Sequence, residues 1–187
     1  MEDRNFYLFA GVNGAGKSTL FSIMTEDIKG TFRINTDEIV KKIGNWKNES
    51  DQIKSAKIAI KLRNEYIEKG LSFNEETTLT GKTILKLIDK LKNKDYKLHL
   101  FYIGINSVDI VKERIKNRVL RGGHDIPDKI VEKRYNESLE NLSKFLKKFD
   151  NVTVYDNTKE YKMILKIINK KIIKQSDELP NWAKNIF

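Results

Sequence analysis

The nine residues 11–19, GVNGAGKST, constrain this chain more than any other stretch. They read Gly, four free positions, then Gly, Lys and Ser or Thr, with Gly11, Gly16, Lys17 and Ser18 on the fixed places. That is the P-loop pattern, and every fixed residue type has a physical reason. Glycine lets the backbone fold around a polyphosphate with its N–H groups inward, where a side chain would block the approach. Lys17 would reach the terminal phosphates as a point charge, and the Ser18 hydroxyl would ligate a bridging Mg2+. The candidate cradle for ATP is therefore the whole run Gly11, Val12, Asn13, Gly14, Ala15, Gly16, Lys17, Ser18 and Thr19. Its flanks fit. NFYLFA at 5–10 reads as a short buried strand, and STLFSIM after the loop has helical spacing, which is the strand, loop, helix order the motif requires.

At 187 residues the chain is long enough for one domain with a sizeable core, and no break in composition divides it, so residues 1–187 read as a single domain. The acidic start MEDRN has no apolar run behind it of signal-peptide length, and LHLFYIGI at 98–105 is too short to span a bilayer. Zero cysteines exclude disulfides, thiolate catalysis and Cys-ligated zinc, and agree with a reducing compartment. Together with ATP use, this places the chain in the cytoplasm, away from membranes. A net charge of +10 invites a nucleic-acid reading. The lysines are scattered over nearly every expected helix, however (Lys41, Lys57, Lys69, Lys90, Lys147, Lys170), and no basic strand studded with aromatics stands out. A solvated lysine-rich surface accounts for them and leaves an anionic substrate open.

Beyond the P-loop, TFRIN at 31–35 reads as a second strand, followed by the helical run EIVKKIG and a loop at 45–51. Helical spacing covers 52–69, and LSFNEETTL at 71–79 begins as a strand and ends polar. Helices follow over 82–94 and from Asn106 and Ser107 to Leu120, on either side of a strand at 97–105. GGHDIP at 122–127 breaks the pattern before a long helix from 128 to 149, the strand VTVYDN, and an expected final helix over 159–174. Strand and helix alternate through about five strands, which argues for a parallel sheet with helices on both faces: an α/β three-layer P-loop NTPase fold of the kinase type. Ligands of such sheets sit outside the C-terminal ends of the strands.

Three constellations occupy those ends. Asp37, just past the second strand, could accept the proton of an attacking hydroxyl, or could be an acid favoured in a first helical turn by the dipole. Glu75, Glu76, Thr77 and Thr78 end the third strand, and only one of the two glutamates can face the site. Arg114, Arg118 and Arg121, four and three apart, share one helix face, and Arg134 lies on the next helix. With Gly122 and Gly123 as a hinge, residues 107–135 read as a lid. His99 sits in an expected core strand, His124 is a lone loop histidine without a second ligand, and Trp182 is expected to pack the C-terminal tail onto the domain.

With GVNGAGKST, NTDEI, FNEETTLTG, ERIKNRVLRGGHDIP and KRYNESLENL quoted, the chain resembles the zeta toxin family of P-loop kinases over most of its length. The resemblance implies an ATP- and Mg2+-dependent small-molecule kinase acting on an alcohol, in the best-known members a hydroxyl of UDP-N-acetylglucosamine, with an antitoxin as a possible protein partner. It places Lys17 and Ser18 on nucleotide and magnesium, Asp37 on activation of the acceptor, and Glu76 with Thr78 at the substrate edge. Of the arginines it favours Arg118 and Arg134 against the phosphates, with Arg114 next. The chain is shorter than the toxin enzymes and lacks the Pro-rich lead-in and the arginine partner just downstream that the resemblance leads one to expect around Asp37, so the acceptor stays open. Two other readings use the same loop: a polynucleotide 5′-hydroxyl kinase, and a nucleotide-dependent switch that binds a protein partner.

Overall fold

The computed structural model describes residues 4–123 and 125–187. Its centre is a sheet whose strands β1 (Asn5–Ala10), β2 (Phe32–Ile34), β3 (Phe73–Thr77), β4 (Lys97–Gly104) and β5 (Asn151–Asp156) are parallel and lie in the order β2-β3-β1-β4-β5. Helices α1 (Lys17–Ile23), α2 (Thr36–Ile43), α3 (Glu49–Glu68), α4 (Lys82–Lys92), α5 (Val108–Leu120) and α6 (Asp128–Phe145) make the connections. Strand β1 shows why three layers form. Phe6, Leu8 and Ala10 belong to one core cluster with Ile88 and Leu91 of α4, whereas Phe9 joins a second cluster with Leu20 of α1 and Val111 and Ile115 of α5. Alternate residues of one strand thus feed both faces. Helix α6 reaches both clusters, with Val131 in the second and Leu142 in the first.

Among the described residues the sheet has seven strands rather than the expected five, because residues 159–174 do not form a helix. They form the antiparallel hairpin β6 (Lys162–Ile168) and β7 (Lys171–Gln175), added beyond β5. The isoleucines at 164, 168 and 172 fit helical spacing, but Ile164, Ile167, Ile168, Ile172 and Ile173 are all β-branched and favour a pleated surface. Asn169 and Lys170 take φ of 48° and 64°, a tight turn of the primed kind. The Asn169 and Lys170 amides donate to Asn151 Oδ1 at 2.9 Å and Asp150 O at 3.0 Å, which pegs that turn to the start of β5. Helix α3 also begins earlier than its spacing suggests, because Asn48 caps it by accepting from the Ser50 amide. Among the described residues no helix is long and apolar enough to cross a membrane.

Two sequence expectations are met away from the site. Trp182 is buried against Tyr102, and a Cβ on Gly104 would sit 2.2 Å from its ring, so the tail packs on the end of β4. His99 is a structural strand residue stacked on Tyr7 with ring centroids 4.3 Å apart. Asn151 Nδ2 donates to its Nδ1 at 3.1 Å, so Nε2 carries the proton and donates to Asn5 Oδ1 at 2.9 Å. Burial, helped by Lys97 and opposed by Asp150, lowers the His99 pKa from 6.5 to about 4. The folded state then binds fewer protons than the unfolded chain between those values. Its contribution is complete above pH 6.5 and is lost as pH falls through about 4. Urea unfolding at pH 7 and pH 4.5 is expected to show a loss of about 1–2 kcal/mol after allowance for solvent screening, and a His99→Gln variant should lack that component.

Candidate active site

The loop after β1 is shaped from behind. The Gly11 amide donates to Thr77 O at 3.2 Å, and at φ 140° a Cβ there would lie 2.3 Å from Ile103 O, so only glycine fits between β3 and β4. Val12 and Ala15 are buried and anchor the bend. The next carbonyls are drawn into the protein. Arg114 Nη1 donates to Gly14 O at 3.5 Å, Asn157 Nδ2 to Ala15 O at 2.9 Å, and Tyr161 Oη to Gly16 O at 2.6 Å. With these oxygens held on one side, the loop presents amides on the other. Gly16 precedes α1 with no side-chain cap, so the first-turn amides of α1 have no internal acceptor and form the positive end of its dipole.

Two side chains of α1 meet that surface. Lys17 Nζ donates to Gly11 O at 2.9 Å and Val12 O at 3.1 Å. Burial lowers its pKa to about 8; Glu76 and Asp37 pull upward, and Arg118 and Arg134 push further down. Those four charges are therefore within electrostatic reach of the lysine. Ser18 Oγ donates to Glu76 Oε2 at 2.8 Å.

Sheet register separates the two glutamates. Glu76 pairs with Phe9 and shares its face, whereas Glu75 pairs with Leu8 and points the other way. Glu75 is buried and takes a two-pronged pair from Arg63 of α3, Nη2 to Oε1 at 2.5 Å and Nε to Oε2 at 3.1 Å. Burial raises its pKa against the opposing pull of Arg63. Glu76 is the one beside the P-loop. Its Oε1 accepts from Arg33 Nη2 at 2.5 Å and Asn35 Nδ2 at 3.1 Å, leaving Oε2 to Ser18.

Arg33 is held in turn by Glu38, Nε to Oε1 at 2.8 Å, and lies 3.4 Å over the Phe21 ring. Asn35 caps α2 by accepting from the Asp37 and Glu38 amides at 2.9 and 3.3 Å. This sets Asp37 in the first turn of α2, exposed, with its charge acting on Lys17. Thr78 shares a 2.7 Å hydrogen bond with Thr80 in the turn that follows β3.

The arginines divide by task. Arg134 Nη1 donates to Asn13 Oδ1 at 3.0 Å, at the tip of the loop. Arg118 acts on Lys17 and, with Arg114, Asn117, Arg121 and Gly123, lines a cavity of about 410 Å³. Arg114 is a brace: its Nη2 donates to Asn157 O at 2.8 Å and Thr158 O at 3.1 Å, tying α5 to the end of β5. Arg121 is exposed. Gly123 lets the chain fold back on Arg118, whose Cγ would be 2.5 Å from an added Cβ. His124 lies outside the described residues. Helices α5 and α6 are linked by Lys112, 2.5 Å from Glu132 and 3.9 Å from Asp128.

One helix straps these parts together. From α6, Arg134 reaches Asn13, Tyr135 Oη donates to Ile105 O at 2.8 Å, Glu137 accepts from the Gly81 amide at 2.7 Å, and Asn141 Nδ2 donates to Leu79 O at 2.9 Å. Arg33, Asn157 and Tyr161 were not foreseen as site residues. Asn157 follows β5 directly, so the rule that picks out Asp37 and Glu76 applies to it equally. Tyr161 was hidden inside the stretch read as helix.

Residues 2–166 match the Zeta toxin family. The chain belongs to that family. A relative in Haemophilus influenzae, an uncharacterised protein, is 37% identical over 127 residues, which are 68% of this chain and 89% of that protein. Among solved structures, this family member resembles one from the PezAT chromosomal toxin–antitoxin system of Streptococcus pneumoniae, with a TM-score of 0.64 and 21% identity over 87% of this chain and 71% of that one. The AvrRxo1-ORF1:AvrRxo1-ORF2 complex with ATP gives a TM-score of 0.73 at 16% identity, over 98% of this chain and 63% of that one. At such identities the likeness is one of fold, and the fold is that of the P-loop kinases.

Proposed function

We propose that this chain is an ATP- and Mg2+-dependent phosphotransferase that moves the γ-phosphate onto a hydroxyl of a small molecule in the cytoplasm. The observation that carries this reading is the convergence of Lys17, Ser18, Glu76 and Asp37, with Arg118 and Arg134, on one loop whose carbonyls are pinned away from it. Loop amides and the Lys17 ammonium bind the phosphates, and Arg118 and Arg134 meet the charge that spreads over the transferred group. Asp37 accepts the hydroxyl proton and aims the oxygen in line. Glu76 and Thr78 form the acceptor edge. Hydroxyl and carboxylate oxygens are the donors that suit Mg2+, and Ser18 would hold it with Glu76 beside it; bound there, the ion neutralises phosphate charge.

Residues 1–187 act as one kinase domain, in which a helical segment at about 107–135, jointed at Gly122–Gly123, forms a lid over the nucleotide. Family membership supports a sugar nucleotide such as UDP-N-acetylglucosamine as acceptor, and the likeness to a component of a toxin–antitoxin system supports an antitoxin-like protein partner. The test is mass spectrometry of a metabolite extract incubated with the protein, ATP and Mg2+. One species should gain a single phosphate. An Asp37→Asn variant should slow that conversion by about 10²–10⁴-fold with ATP affinity retained. An unchanged rate in that variant would remove Asp37 from the role of base.

A further inference from the structure

We propose that the open edge of β7 is a docking strand for an acidic, extended segment of a partner protein. This is independent of the phosphotransfer reading. Strand β7 pairs with β6 on one side and ends the described sheet, so its outer row of N–H and C=O groups is available for another strand. All five of its residues are exposed, among them Ile172 at 62% and Ile173 at 59%, while Ile164 and Leu165 of the same hairpin are buried. Two neighbouring isoleucines on an open edge are apolar area that a partner strand would cover.

Charge selects the occupant. Residues 162–175 contain Lys162, Lys166, Lys170, Lys171 and Lys174 and no acidic residue. A second copy is disfavoured, because antiparallel pairing centred on Ile172 and Ile173 would set Lys171 opposite Lys174 in both halves, and like charges directly opposed weaken a strand pair. A strand with glutamate or aspartate at those two places turns the repulsion into attraction and sets apolar residues on the isoleucines. The edge lies four strands from β1, which leads into the nucleotide loop, about 19 Å across the sheet, so this partner leaves that loop open.

The test uses the full chain and a capped peptide whose core reads Glu-Val-Val-Glu, matching the order Lys171, Ile172, Ile173, Lys174. Saturable binding is expected, with amides of residues 171–175 protected from hydrogen exchange. A Lys171→Glu, Lys174→Glu double variant should bind this peptide about tenfold or more weakly and should instead bind its lysine-for-glutamate counterpart. Its thermal midpoint and ATP affinity should match those of the parent. Equal binding by parent and double variant, or protection centred elsewhere, would overturn the proposal. So would sedimentation showing a dimer of the chain that the same substitutions disperse, which would give the edge to a second copy.

Discussion

Lys17→Ala is expected to reduce phosphotransfer by about a thousandfold while leaving the fold intact. The lysine contributes little to the packed core; its ammonium donates to two carbonyls of its own loop, and a triphosphate offers it a stronger, charged acceptor. A Lys17→Met variant, which keeps the stem, should fall as far, separating charge from packing. Single-turnover rates measure the loss, and an unchanged urea midpoint excludes unfolding. Acidity supplies a second signature. Because burial holds the free lysine near 8, the unliganded loop loses its positive charge as pH rises through that value. Apparent ATP affinity should therefore weaken above pH 8, with proton uptake on binding there seen by calorimetry in buffers of different ionisation enthalpy. Both signatures should vanish in Lys17→Met.

Arg63→Ala is expected to cost about 3–5 kcal/mol of stability. Glu75 is buried at the centre of the fold, Arg63 is its partner through two hydrogen bonds, and removing the guanidinium leaves a carboxylate without its counter-charge. For a chain of this size the loss corresponds to roughly 10 °C in Tm. The pair is a cost as well as a support, so replacing both ends, Arg63→Met with Glu75→Leu, should restore most of the stability. Urea denaturation of the two singles and the double closes the cycle. If the double variant were as unstable as the singles, the loss would come from packing of α3 rather than from the stranded charge.

Strands β1 and β4 were legible as near-continuous apolar runs, whereas β2 (FRI), β3 (FNEET) and β5 (NVTVYD) could be read only as short stretches between turn residues and helical spacing. The hairpin was not, since Ile164, Ile168 and Ile172 satisfy a helical period as well as a strand, and only β-branching argues between them. At the site, Gly11, Lys17, Ser18 and Asp37 could be read from their places after strands. Alternation showed that one of Glu75 and Glu76 turns inward but not which. That choice depends on the pairing of Glu76 with Phe9, a register between residues far apart in the chain. Arg33 escaped for the same reason: 43 residues separate it from Glu76, and no local pattern announces the pair. Arg114 illustrates the limit of a stripe, because equal spacing on one helix face does not show which guanidinium a backbone carbonyl will capture.

Helix α6 touches the phosphate loop, the exit of β4 and the turn after β3 through successive side chains of one rod. The distances among those three exits are thereby set by a single stiff ruler rather than by separate loops. Side chains placed by one rod keep their mutual spacing more closely than side chains placed by three separate loops. A change in the length or sequence of any one of those connections would leave the other two spaced as before, because the helix and not the connections sets the span.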